Sequence, residues 1–200
     1  RSNIVNFYLI QYGIYRFGGK GAIQTFTENI EQLNAAPDLD ELHKRNLMSV
    51  YLHARGALYL IEKKYEETIV DYSNALELDP EYALAYINRG NAYFYLNKYQ
   101  EAIQDFNKQM EIDPSLNLAF MLRGIAHLKL NNLEESLRDL TQALCFTVDN
   151  PTIFFNRGTV YYKMGNWQLA LNDFTEALRL NPQDSFSEEK RKQCMDKLEG

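Results

Sequence analysis

The chain has 200 residues, 21 Lys and Arg against 27 Asp and Glu, a net charge of −6 and 46% hydrophobic residues. This composition excludes general disorder and gives one or two compact domains with a sizeable core. The acidic balance argues against broad binding to nucleic acid or an anionic membrane surface, and two cysteines, Cys145 and Cys194, exclude a disulfide framework. Acidic composition and sparse cysteine suit a cytosolic compartment.

In chain order, the apolar stretch 4–15 contains Asn6 and Gln11 and lacks a basic leader and a small-residue cleavage pattern, so it does not read as a signal peptide. No stretch approaches the ~20 apolar residues of a membrane helix. The run Phe17-Gly18-Gly19-Lys20-Gly21-Ala22 imitates a phosphate loop, but no strand precedes it and, after an extra glycine, Gly21, Ala22 replaces the required Ser or Thr. It reads as a turn between helices. Residues 1–48 are expected to form a degenerate helical pair plus the start of a long helix. Ala22, Phe26 and Ile30 carry the helical spacing, Pro37 and Asp38 mark a break, and the long helix starts near 38–40 and runs through Glu62.

From residue 49 the chain repeats. Arg-Gly recurs at Arg55-Gly56, Arg89-Gly90, Arg123-Gly124 and Arg157-Gly158, 34 residues apart each time. With this glycine as position 8, the repeats are 49–82, 83–116, 117–150 and 151–184, and residues 49–184 form one array. Position 4 holds Leu52, Tyr86, Phe120 and Phe154; position 11 holds Tyr59, Tyr93, His127 and Tyr161; position 24 holds Tyr72, Phe106, Leu140 and Phe174. Position 20 is small throughout (Thr68, Ala102, Ser136, Ala170). Turn residues at 15–16 and 31–33 cut each repeat into a helix A and a helix B. Glycine at 8 and a small residue at 20 let the two backbones approach, and the aromatics fill the remaining gap. Proline at 32 (Pro80, Pro114, Pro182) is expected to stop helix B, with Val148 as the exception. Beyond Pro182, Ser185-x-x-Glu188 reads as a capping box opening a charged helix over 185–200, with Cys194 and Leu198 as its apolar contacts, a polar cap to the array.

These columns resemble the tetratricopeptide repeat family over 49–184. The resemblance implies an all-α fold, a right-handed α-solenoid of stacked helix-turn-helix units that binds proteins and has no catalysis of its own. Departures are the arginine at position 7, Gln109 in a small slot and Val148 for proline.

Two further columns are complete. Arg55, Arg89, Arg123 and Arg157 occupy position 7, and Asp71, Asp105, Asp139 and Asp173 occupy position 23. Helical geometry puts them on facing flanks, so they are expected to form structural ion pairs rather than a ladder for an acidic ligand. Positions 2, 5, 6, 9 and 13 of helix A point away from helix B at 100° per residue. Of those 20 residues twelve are hydrophobic and two, Lys129 and Lys163, are charged. Helix A in the family lines the concave surface, so the resemblance places a partner groove on Leu84, Ile87, Asn88, Asn91, Tyr95, Leu118, Met121, Leu122, Ile125, Lys129, Phe155 and Asn156. The asparagines would bond a ligand backbone. The expected ligand is a protein or peptide, an amphipathic helix or an extended apolar segment.

Members of the family that grip the C-terminal carboxylate of heat-shock chaperones use Lys at 5, Asn at 9, Asn at 6 of the next repeat, and Lys at 2 and Arg at 6 of the third. Here those positions hold His53, Ala57, Asn88, Leu118 and Leu122, or from the second repeat Ile87, Asn91, Leu122, Thr152 and Asn156. Each start matches once, which argues against chaperone tails as ligands. His43, His53, His127 and the cysteines lack metal-ligand spacing, and no catalytic, metal or cofactor constellation appears. The alternatives are self-association into a homo-oligomer and a regulatory module of a larger enzyme.

Overall fold

Apolar residues at helical spacing produce helices throughout: a computed structural model describes residues 21–36, 39–115 and 118–199, with ten helices and no strand among them. The readings on residues 1–20, the apolar stretch and most of the glycine run, and those on Pro37 and Asp38, lie outside the described residues. The chain divides into two compact units, 1–113 and 114–200. The first holds α1 (residues 21–35), α2 (Glu41–Ile61), α3 (Tyr65–Leu78), α4 (Ala83–Tyr95) and α5 (Tyr99–Ile112). The second holds α6 (Leu118–Lys129), α7 (Leu133–Phe146), α8 (Pro151–Lys163), α9 (Trp167–Leu180) and α10 (Ser185–Glu199). No helix among the described residues is long and apolar enough to cross a membrane.

Each helix A packs antiparallel on its helix B. In the second unit Phe120, early in α6, stacks on Phe146 at the end of α7 with ring centroids 5.9 Å apart, while Gly124 faces Asp139 and Leu140 in mid-helix. The glycine is required there: a Cβ on Gly124 would lie 2.9 Å from Leu140, and one on Gly90 would lie 2.7 Å from Phe106. The small residue at position 20 completes the approach; Ser136 Oγ donates to the Gly124 carbonyl at 2.7 Å.

The A-to-B turn is the same in all four repeats. Position 15 is left-handed, with φ of 60° at Lys63 and Asn97, 61° at Asn131 and 78° at Gly165. The following amide bonds back to position 11, as in Lys64 N to Tyr59 O (2.8 Å) and Asn166 N to Tyr161 O (2.9 Å). Position 15 bonds to position 12, which together make a Schellman motif. The end of helix B differs from expectation. Asp79, Thr147 and Asn181 at position 31 are all extended or nearly so, with φ of −138°, −138° and −135°. α7 therefore ends at Phe146 without a proline after Thr147. Proline at 32 biases its predecessor toward this conformation, and β-branched Thr147 adopts it unaided.

Within the first unit, Ala22, Ile23 and Phe26 of α1 pack against Ala54 and Leu58 of α2, and Ile30 joins Leu52 and Ala75. Asp40 caps α2 by accepting from the amides of Leu42 and His43. Gln109 is fully buried and its amide donates to the Asp113 carbonyl at 2.8 Å. Within the second unit, Leu128, Leu140, Ala143, Ile153 and Val160 form the larger core, and Ala170, Phe174 and Cys194 join α9 to α10. Burial raises the pKa of the Cys194 thiol. The cap of α10 is Asp184 rather than Ser185: its carboxylate takes the Phe186 amide at 3.1 Å and the Ser187 hydroxyl at 2.5 Å. Leu198 makes less of an apolar contact than expected, being 44% exposed.

Candidate functional site

The two complete charge columns meet inside each helix pair. Arg55 places Nε 2.8 Å and Nη2 2.7 Å from the two carboxylate oxygens of Asp71. The same fork recurs for Arg89–Asp105 (2.8 and 2.7 Å), Arg123–Asp139 (2.7 and 2.6 Å) and Arg157–Asp173 (both 2.8 Å). The aspartates are buried and the arginine side chains are 15–20% exposed. Hydrogen bonds donated to the carboxylate raise the pKa of Arg55, Arg89 and Arg157. Burial raises that of Asp71 and Asp105, and their arginines oppose the shift. Each guanidinium also lies over an aromatic ring, as Arg89 does 5.6 Å from Tyr86 and 5.9 Å from Tyr93, a cation–π contact that the column analysis missed. Arg55 and Arg89 spend a further nitrogen on Thr27 (3.0 Å) and Ser73 (3.1 Å).

The outward stripe of helix A takes different forms in the two units. In the first, Ile87 is 6% and His53 7% exposed. Ile87, expected in an open groove, is therefore a core residue. The His53 ring lies 5.5 Å from the Tyr72 ring and 5.1 Å from the Tyr82 ring, and burial lowers its pKa to about 4. Asn88 is half-buried and already donates to the Tyr72 hydroxyl at 2.9 Å. Leu84 and Asn91 are half-buried, while Tyr95 is exposed and stacks on Tyr65 at 4.9 Å.

In the second unit the stripe is more open. Leu118 is 47% exposed, Met121, Leu122 and Ile125 are half-buried, and Lys129 is exposed. Ile125 also packs against the Leu128–Ile153–Val160 core. On α8, Thr152 is exposed, Phe155 and Asn156 are half-buried, and the Asn156 amide donates to the Thr152 carbonyl at 2.8 Å. The stripe continues onto α10, where the 34-residue period puts Phe186 at position 2 and Arg191 at position 7. Phe186 is 70% exposed and, with Pro151, Thr152, Phe155, Asn181 and Asp184, walls a cleft of 380 Å³. Reading 185–200 as a cap hid this; extending the columns one repeat further would have revealed it. Lys192 stands at position 8 in place of the glycine of the four repeats.

Among the described residues no group of His, Cys, Asp and Glu is arranged to hold a metal. Cys145 is exposed and Cys194 buried. The arrangement offers apolar clefts and helix faces, a chemistry of recognition.

Comparison with known proteins agrees. Family models described as "Tetratricopeptide repeat" match residues 83–116 and 151–184, and those described as "TPR repeat" match 56–95 and 124–165. The structure of MamA, residue 41 to the end, from Desulfovibrio magneticus RS-1 is similar with a TM-score of 0.73 at 17% identity, over 92% of this chain and 98% of that one. The second TPR domain of human RPAP3, in complex with the HSP70 peptide SGPTIEEVD, is 28% identical over 56% of this chain and 94% of that one, with a TM-score of 0.53. The first TPR of Spaghetti (RPAP3), bound to the HSP90 peptide SRMEEVD, is 24% identical over 59% and 94%, with a TM-score of 0.57. No curated protein matches the chain.

Proposed function

Because the chain belongs to the tetratricopeptide repeat family, an all-α solenoid family of protein–protein interaction modules, we propose that it is a non-catalytic scaffold that docks a protein segment on the helix A stripe of its second unit. The observation that carries this reading is the row of exposed and half-buried apolar side chains, Leu118, Met121, Leu122, Phe155 and Phe186, continuous with the cleft between α8 and α10. Clustered apolar surface rimmed by polar residues marks interaction sites. The ligand is an amphipathic helix or an extended apolar segment. The RPAP3 domains named above, each solved with a peptide, support the peptide-binding class. A grip on a free C-terminal carboxylate is a poor guide to the ligand here, since the clamp positions of this chain hold mainly apolar side chains and one asparagine from the first start.

Leu118 and Leu122 are better probes than Ile125, which shares the core. Segments selected from a displayed random peptide library on the intact chain should lose at least about 100-fold in affinity for Leu118→Glu/Leu122→Glu. An incoming apolar segment would have to desolvate two carboxylates, at several kcal/mol. Thermal melting should be nearly unchanged. A folded variant that binds as tightly as the parent would place the site elsewhere. Exposed Met195 and Leu198 on α10 favour self-association as the second reading. Light scattering that finds the monomer mass at all concentrations would eliminate it.

A further inference from the structure

The stripe of the second unit has two ends of different chemistry. On α8 the residues Thr152, Phe155, Thr159 and Lys163 fall within a narrow arc at 100° per residue, and Thr152 and Lys163 are about 16 Å apart along the axis. The same offsets lead from Leu118 to Lys129 on α6 and from Phe186 to Lys197 on α10. These three helices are neighbours running the same way. Ile153 and Val160 of α8 share a core with Leu128 of α6, and Asn150 at the start of α8 donates to the Met121 sulfur at 3.6 Å. On the other side Phe155 and Phe186 wall one cleft, and Lys190 of α10 lies 5.0 Å from the Tyr162 ring of α8. Leu118, Phe155 and Phe186 are therefore grouped toward one end and Lys129, Lys163 and Lys197 at the other.

None of these three lysines is in an ion pair among the described residues. Lys163 donates to a neutral acceptor, the Asn131 side-chain oxygen, at 3.1 Å. Residues 114–200 carry 10 basic and 11 acidic side chains, yet the stripe has Glu189 as its one acid against these lysines and Lys190. Each lysine stands in the last turn of its helix and complements the helix dipole, but the fold does not require a cation at this position. The equivalent positions of α2 and α4 are Ile61 and Tyr95, and those helices end without a basic residue in the last turn.

We propose that the segment docked on the second unit is acidic at one end and apolar at the other, its apolar side chain in the Phe155–Phe186 cleft and its carboxylates over Lys129, Lys163 and Lys197. This rests on the docking reading above and names the partner's chemistry. The two recognition elements of an extended ligand lie about five residues apart, at roughly 3.3 Å per residue. The acidic groups are side chains of the segment, and a free C-terminus is not required.

The test selects displayed random peptides on the intact chain and on Lys129→Glu/Lys163→Glu/Lys197→Glu. Selected peptides should combine Asp or Glu with a large apolar residue about five positions away. They should weaken about tenfold or more on the lysine variant, weaken as salt is raised, and bind equally when amidated at the C-terminus. Peptides without acidic bias, or acidic peptides that bind the folded lysine variant unchanged, would overturn the acidic assignment while leaving apolar docking intact. Loss of binding on amidation would also overturn it. Recovery of no peptide, or of peptides indifferent to Leu118→Glu/Leu122→Glu, would overturn the docking reading and this one with it.

Discussion

The two units use one helical pattern for opposite ends. In the first, the middle of the outward stripe of helix A is consumed internally, while Ile61 and Tyr95 at its end are exposed: His53 sits among Tyr72 and Tyr82, Ile87 is buried, and Asn88 is bonded to Tyr72. In the second, the corresponding Met121, Leu122, Phe155 and Asn156 are half-buried, and the stripe finishes in lysine. The frame beneath is identical, with one bidentate Arg–Asp pair per helix pair. A repeat therefore separates residues that hold the helices together from residues free to differ, and only the second set distinguishes the units.

The sharpest way to break this comparison is to attack the shared frame. Arg89→Ala in the first unit and Arg123→Ala in the second each strand a buried aspartate, at about 3–5 kcal/mol. Chemical denaturation should show comparable losses for both. A loss below about 0.5 kcal/mol in either would make that pair behave as a surface salt bridge and end the claim of a common frame.

Acid should act on the units unequally. His53 has a pKa of about 4 in the fold against 6.5 in the unfolded chain. Its stabilising effect is full above pH 6.5, falls as the unfolded histidine takes up a proton, and stops falling below about pH 4, a loss of about 3 kcal/mol. His53→Leu should flatten the stability profile over that window relative to the parent. If both proteins lose stability in parallel, the ring is protonatable in place and the first unit is not self-filled there.

The smallest expected effect concerns the A-to-B turn, left-handed in every repeat. Lys63→Gly should stabilise by about 0.5–1 kcal/mol and Gly165→Ala should cost about 1 kcal/mol, because glycine alone enters that region without a Cβ penalty. Asparagine tolerates it better than lysine, so Asn97→Gly and Asn131→Gly should gain less. Melting temperatures that do not follow this order would mean that the turns differ between units despite their common φ.

The columns made the frame legible because each depends on a local geometric demand repeated four times: glycine where a Cβ would strike Phe106 or Leu140, arginine sixteen residues before aspartate. The long α2 was legible from Asp40, which does cap it. The left-handed turn was hidden at Lys63, a residue that gives no turn signal, while Asn97, Asn131 and Gly165 marked it. Helix B starts were legible from the turn residues at 15–16, although Lys64, Lys98, Asn132 and Asn166 make no side-chain cap bond. Burial of His53 and Ile87 could not be read from their own helices. Packing on His53 comes from tyrosines nineteen and twenty-nine residues away. The Phe186 cleft was missed because α10 keeps position 7 but loses the glycine of position 8.

The sixteen-residue separation within each Arg–Asp pair has a consequence in time. Every such bond closes inside a single hairpin, so the chain never has to bring distant segments together before the frame begins to hold. Low contact order of this kind belongs to folding in microseconds to milliseconds. During synthesis each hairpin can close as soon as its own second helix has left the ribosome, and the array can assemble in the order in which it is made.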